Sequence, residues 1–360
     1  MLQFCYSQIN TLLSPFLCLI LRDKPKKYPT MKKTKLGAEH KYGLGGVPIG
    51  NCFEVVTDKQ AEETLEAAWE AGVRYYDTSP FYGFGLSERR FGHFLHNKKR
   101  EEYLLSSKVG RILYPTKDVP ESMWNEPSPF AYKYDYTAEG VRRSIEDSLQ
   151  RLGVERLDYV FIHDLSPDND EDLPGGWEKQ FEIAKNGAMP ELSKMRDEGL
   201  IQGWGLGVNT IEPILRTLEV ADPDIFLCAI QYSIVEHKEA KEKLLPAIEN
   251  SDADLIIAAP FNAGLLAGKG RYNYWGKMPD DIKERYETAR RIAKKHNVDL
   301  VDASLQFSYA PEAVSTVLAG ASKPDQVKQN IAAFDVEIPE AFWQDLTKEG
   351  ILEEQDSVPA

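Results

Sequence analysis

Residues 71–85 read AGVRYYDTSPFYGFG. Val73 to Tyr76 is apolar and β-prone apart from Arg74, which suits a buried strand. Polarity then arrives at once with Asp77, Thr78, Ser79 and Pro80, and Tyr82 follows in a glycine-bounded turn. LSERRFGHFL, from Leu86, reads as a helix. An acid at the end of a strand, a tyrosine on the next loop and a helix beyond is where α/β proteins keep their chemistry. Taken alone, Asp77 is equally a turn carboxylate and Tyr82 a packing residue.

Two further stretches repeat the pattern. YLLSSKV (103–109) is a strand-like run ending in Lys108, and LDYVFIH (157–163) is another ending in His163. A lone lysine there is a solvated strand end, and a lone histidine a satisfied core residue. Asp77, Tyr82, Lys108 and His163 on successive strand ends make a proton-transfer set. The phenol has an ordinary pKa of about 10. A nearby ammonium favours tyrosinate, so Lys108 is expected to make Tyr82 more acidic. Asp77 would hold Lys108, and His163 would hydrogen-bond and orient a substrate oxygen.

Outward from these stretches, strand and helix alternate. The spacing predicts a first strand within Leu44–Asn51, then a helix capped at Thr57 and running to Ala71. Arg111–Tyr136, rich in proline and aromatics, reads as a long irregular loop, either a wall of a substrate pocket or a structural flap. Helices are predicted over Thr137–Leu152, Met189–Glu198, Ala240–Glu249, Ile282–His296, Asp299–Tyr309, Pro324–Ala333 and Phe342–Leu352. Strands are predicted over Ile201–Gly207, Ile225–Ile230, Leu255–Ala259 and Thr316–Leu318. Short connections imply right-handed βαβ units. About eight of them favour an α/β, (β/α)8 TIM barrel in a single domain over an open doubly wound sheet. No G-x-G-x-x-G follows the first strand, which counts against a Rossmann domain.

The 360 residues, 42% of them hydrophobic, suffice for one large core, and the formal net charge of −14 argues against nucleic acid or an anionic membrane as partner. The four cysteines show neither metal-type spacing nor disulfide-like density; Cys52 and Cys228 suit small apolar residues in a reducing, cytoplasmic compartment, and no metal is implied. Residues 1–34 form an atypical leader. Its apolar run, Ile9–Leu21, is short for a membrane span and lacks the marks of a signal peptide. Met31, opening MKKTKLG, is read as the start, with a weak membrane-associating leader as the alternative; residues 35–350 are the barrel and 351–360 a tail.

DTSPFYG (77–83), SSKVG (106–110) and FIHD (161–164) resemble, in order and spacing, the aldo-keto reductase superfamily, and the resemblance spans nearly all of Lys35–Phe334. It implies a catalytic tetrad of Asp77, Tyr82, Lys108 and His163, with Tyr82 as proton donor and acceptor, and NAD or NADP as cofactor. Asn209 and Gln231, whose amides match a carboxamide, would bind the nicotinamide, and Tyr232 would stack on it. Pro260, Phe261, Asn262, Gly264 and Leu265 belong to FNAGLLAG and its edge, a loop fitted to close over a pyrophosphate. GASKPDQVKQN (320–330) resembles the adenosine-end motif: Ser322 would cap the last barrel helix, Asn330 reach adenine and Gln326 the ribose. Gln326 and Gly320 stand where NADP-preferring members often carry arginine and lysine, so the reading leans to NAD, while Lys323 keeps a 2′-phosphate open. APFNAGLLAG followed by RYNYW is similar to the aldose 1-dehydrogenase and pyridoxal 4-dehydrogenase branch. This implies a small sugar or aldehyde substrate and oxidation at C1 to a lactone. The alternatives are pyridoxal oxidation, general NADPH-dependent carbonyl reduction, or a non-catalytic cofactor-sensing barrel. Phe53, Trp124 and Trp275 are candidate substrate contacts.

Overall fold

The computed structural model describes residues 40–359; the leader and the Met31 start lie outside the described residues. Eight parallel strands close into a barrel: β1 (Tyr42–Gly45), β2 (Tyr75–Asp77), β3 (Leu104–Val109), β6 (Tyr159–His163), β7 (Gly203–Val208), β8 (Ile225–Ala229), β9 (Asp254–Ala258) and β10 (Val314–Gly320). Each pairs with its neighbours, and β1 closes the ring against β10 through Tyr42↔Val317 to Gly45↔Gly320. The first strand is therefore earlier than expected, and Pro48–Gly50 is a short 3-10 turn.

Alternation along each strand fills two cores. Tyr75, Phe161, Leu227, Ile256 and Leu318 point into the barrel, while Tyr76 points outward onto Phe91 and Phe94 of the helix Leu86–Leu95. The bulky interior residues need glycine opposite them: a Cβ on Gly43 would lie 2.6 Å from the Tyr75 ring and 2.8 Å from Leu318. Outside, Thr57 Oγ1 accepts from the Gln60 amide at 3.1 Å to start the helix Asp58–Glu70, and Thr137 does the same for Gly140 at the start of Ala138–Leu152.

Two segments differ from expectation. The stretch after β3 is a β-hairpin, β4 (Arg111–Pro115) with β5 (Phe130–Tyr134), paired antiparallel from Arg111↔Tyr134 to Pro115↔Phe130. A helix that was not anticipated, Trp177–Asn186, precedes Ala188–Asp197; its first amide is met by Asp170 Oδ1 at 2.8 Å from the preceding loop, so no capping residue stands beside it in sequence. The residues after Gly350 pack onto the barrel: Ile351 and Leu352 are buried, and Asp356 is paired with His237 and Lys241. Among the described residues no helix is long and apolar enough to cross a membrane.

Candidate active site

A cavity of about 1150 Å³ opens at the C-terminal ends of the strands. Asp77 ends β2, Lys108 sits near the end of β3, His163 ends β6, and Tyr82 follows β2 on a loop; all four line this cavity. Lys108 Nζ lies 2.6 Å from Asp77 Oδ2 and 2.9 Å from the Thr78 carbonyl, in full burial. Ser106 donates to Asp77 Oδ1 at 2.7 Å, which leaves each carboxylate oxygen paired. The stem of Lys108 rises past Gly207, where a Cβ would come within 3.4 Å of its Cε. Its ammonium lies 4.6 Å from the centroid of the Tyr82 ring, which in turn meets the His163 ring edge-on at 5.7 Å.

The ionisation of this cluster differs from expectation at Tyr82. Burial, and then the Asp77 charge, push the phenol well above its ordinary value. Lys108 does not offset this, because its charge is matched by Asp77 at contact distance. Burial also holds the Asp77 carboxyl above the usual range, against the pull of Lys108 and Ser106. His163 is depressed by burial, then by Arg111 and Lys108. Burial also takes the Cys52 thiol beneath Tyr82 up to about 12.

The cavity runs from this cluster to Ser322 and Asn330. Asn209, Pro260, Phe261, Gly264, Gly320, Ser322, Lys323, Gln326 and Asn330 lie on its wall. Gln231, Tyr232, Asn262 and Leu265 are not among its lining residues. Tyr232 is turned inward and stacked on Phe307 at 5.1 Å, so it is core rather than a platform for a ring. Gln231 donates to the Asn209 carbonyl at 2.7 Å, bracing the residue that does face the cavity. Asn262 is buried and accepts from Ser233 at 2.6 Å while donating to Glu236 at 2.9 Å, which pins the loop; Leu265 is buried. Ser322 does not cap the last barrel helix. That helix, Pro324–Ala332, begins after Lys323 without a side-chain cap, and the Ser322 hydroxyl donates to Glu54 at 2.7 Å.

Phe53 and Trp124 wall the opposite end. Trp124 packs at 5.7 Å on Tyr82, and its buried indole N–H has no hydrogen-bond partner among the described residues. The side chain of Trp275 lies outside the described residues. Its neighbour Tyr274 lines the cavity instead, stacked on Phe53 at 6.3 Å, with the Arg271 guanidinium 3.8 Å from the Phe53 ring. Residues given no role from sequence are Arg111, Asp164, Glu54, Arg271 and Tyr274; Arg111 follows SSKVG, Asp164 closes FIHD, and Arg271 and Tyr274 lie within RYNYW, and those positions were the available signal. Among the described residues no cluster of three His, Cys, Asp or Glu side chains is placed to hold a metal.

The profile of the aldo/keto reductase family matches residues 41–349. The chain belongs to this family. As an aldo/keto reductase it is an NAD(P)-dependent oxidoreductase, and a cavity of this volume has room for a dinucleotide with a small substrate beside it. It is 35% identical over 321 residues to a D-threo-aldose 1-dehydrogenase from a Pseudomonas species, covering 86% of this chain and 94% of that one. It is also 35% identical over 326 residues to a pyridoxal 4-dehydrogenase from Microbacterium luteolum, with the same coverage. An aldo-keto reductase structure from Bacillus halodurans superposes with a TM-score of 0.65 at 21% identity, covering 88% of this aldo/keto reductase and 95% of that chain.

Proposed function

We propose that this aldo/keto reductase oxidises an aldose at C1 to the lactone, with Asp77, Tyr82, Lys108 and His163 as its proton-transfer set. The observation that carries the reading is the buried Asp77–Lys108 pair beneath the Tyr82 and His163 rings, at the floor of a cavity walled by Phe53, Trp124 and Tyr274. Flat apolar walls suit a sugar ring, and an unpaired indole N–H beside Tyr82 suits a sugar hydroxyl. Asp164 and Asp172 line the cavity, which disfavours phosphorylated or carboxylated substrates. The similarity to the D-threo-aldose enzyme supports the same class.

In oxidation, Tyr82 in its anionic form takes the anomeric hydroxyl proton while His163 holds the same oxygen. Lys108, fixed by Asp77, stands over the Tyr82 ring, 4.6 Å from its centroid. In the reverse direction the protonated phenol, the form that burial favours, delivers its proton to a carbonyl oxygen. A bound nicotinamide dinucleotide supplies the hydride acceptor or donor. Asn209, Pro260, Phe261, Gly264, Gly320, Ser322, Lys323, Gln326 and Asn330 would hold it; Gln231 would act through Asn209. We read NAD as the preferred form. Gln326 is occupied by the Ser322 amide at 2.9 Å, and the Glu54 carboxylate stands against Ser322, where a 2′-phosphate would be repelled. Lost charge-assisted bonds to such a phosphate are worth about 1.5–3 kcal/mol each.

Initial rates at 340 nm with L-fucose, L-galactose, D-arabinose and pyridoxal, each with NAD and NADP, test this. NAD-dependent oxidation of a sugar is expected. Turnover of pyridoxal alone, or only NADPH-driven aldehyde reduction, would replace the substrate class and leave the tetrad in place. Tyr82→Phe should retain cofactor binding and lose at least ~10²-fold in turnover.

A further inference from the structure

Arg111 is buried and touches His163 Nδ1 through Nη1 at 3.3 Å. A guanidinium only donates hydrogen bonds, so the ring nitrogen that faces it must offer a lone pair. Ser79 Oγ lies 3.2 Å from the same nitrogen and supplies a second donor. The ring proton is then left on Nε2. Arg111 cannot swing away. Its Nη1 also donates to Asp164 Oδ2 at 2.8 Å, its Nη2 to the Tyr134 hydroxyl at 3.2 Å, and its guanidinium lies 4.2 Å from the Phe81 ring. Asp164 is itself held, with a left-handed φ of 48° and its amide bonded to the Gly207 carbonyl at 3.0 Å.

We propose that Arg111 is a positioning residue that locks His163 as the neutral Nε2–H tautomer, so that the ring meets a substrate oxygen only as an uncharged donor. A second ring proton on Nδ1 would face the Arg111 N–H and set two positive charges side by side. The charged groups around the ring are Arg111 from β4, Lys108 from β3 with its partner Asp77 from β2, and Asp164 from the following loop; Tyr82 and Tyr134 are the other titratable neighbours. Asp164 Oδ2 is 3.6 Å from Nε2, and it favours an imidazolium only when Arg111 no longer matches its charge. The neutral state matters for oxidation, because hydride leaves a carbon whose oxygen must push electrons toward it. A charged donor on that oxygen withdraws them. The inference rests on the proposed contact between His163 and the substrate oxygen.

The test is ¹⁵N-histidine NMR of the full-length protein, with His163 assigned by His163→Gln, alongside pH–rate profiles. In wild type the His163 ring is expected to stay neutral, protonated on Nε2, from pH 8 to pH 5. In Arg111→Gln it should titrate within that range, and kcat/KM for oxidation should fall about tenfold on the acid side of the same midpoint. Arg111→Lys, which keeps a cationic donor, should retain the wild-type profile. Arg111→Gln/Asp164→Asn, which removes the orphaned carboxylate, should move the midpoint back down. A wild-type Nδ1–H tautomer or a wild-type ring that titrates near pH 6.5 overturns the proposal, whether or not the variants fold. So does an Arg111→Gln protein whose loss of rate is uniform with pH. A locked tautomer in a protein that turns over no sugar would fault the substrate reading and leave the lock standing.

Discussion

Tyr82 lies beside the buried Asp77–Lys108 pair, with the ammonium 4.6 Å from its ring centroid. Asp77 raises its phenol, and Lys108 is drawn off toward Asp77 at 2.6 Å. The phenol is therefore held by burial as the acid, ready for reduction. Oxidation needs the minor phenolate, so kcat/KM for oxidation should climb with pH into the alkaline range, with no plateau near neutrality. Asp77→Asn removes the negative charge and leaves Lys108 without its counter-ion; both changes lower the Tyr82 pKa. The alkaline rise should then move to lower pH, while kcat drops because Lys108 is no longer fixed. A rise that stays where it was in Asp77→Asn would contradict the assignment of that limb to Tyr82. The placement of Asp77, Lys108 and His163 near the strand ends that line the cavity was legible in the sequence, since each closes an apolar run. The direction of the Tyr82 shift was not, because burial and charge cancellation are properties of the packed site.

At the scale of elements, the hairpin β4–β5 does most to shape the substrate end. It carries Arg111 and Tyr132 onto the cavity wall, and the segment between its strands docks on the loop after β1 through Asn125 to the Asn51 and Cys52 carbonyls at 3.0 and 3.1 Å. Phe130, Tyr132, Tyr134 and Tyr136 recur every second residue, which is the strand signal; prolines between Pro115 and Pro129 hid it. The other end of the barrel is locked by Asp158. One oxygen accepts from the Leu105 amide at 2.7 Å and from Arg100 at 2.5 Å, and the other from Gln202 at 2.8 Å, joining the starts of β3, β6 and β7. Asp158→Ala leaves Arg100 and the Leu105 amide unmatched in the interior. It should cost about 3–5 kcal/mol in urea unfolding and leave KM unchanged, because the cavity opens at the far ends of the strands. An equal loss of KM would mean that the two ends are coupled.

At the scale of the molecule, residues 350–356 fasten onto the barrel. Arg285 donates to the carbonyls of Gly350 and Ile351 at 3.2 and 2.7 Å, and Asp356 reaches His237 at 3.3 Å and Lys241. Burial raises the Asp356 carboxyl, but hydrogen bonds from His237, the Glu353 amide and Lys241 outweigh it and hold it well below the usual carboxylate range. A depressed pKa stabilises the fold above the unfolded value of about 3.9 and is lost as pH falls through the folded one. Asp356→Asn should therefore lower the melting temperature at pH 7 and flatten the acid-side loss of stability between about pH 4 and pH 2. Equal melting curves for the two proteins across that range would show that the clamp adds nothing.

Local sequence patterns suffice for the alternation of strand and helix, hence the closed (β/α)8 barrel, and for the place of Asp77, Lys108 and His163 at one end of that barrel. These follow from local rules: period-two and helical hydrophobic patterns, capping residues, and parallel strands whose C-terminal ends share a face. The tertiary structure alone decided that Tyr232 is core, that Ser322 bonds to Glu54 instead of capping its helix, and that Arg111 and Asp164 surround His163. Each of those outcomes is a contact between residues far apart in the chain or a choice of which way a side chain turns. Close packing settles such choices, and no stretch of sequence carries them locally.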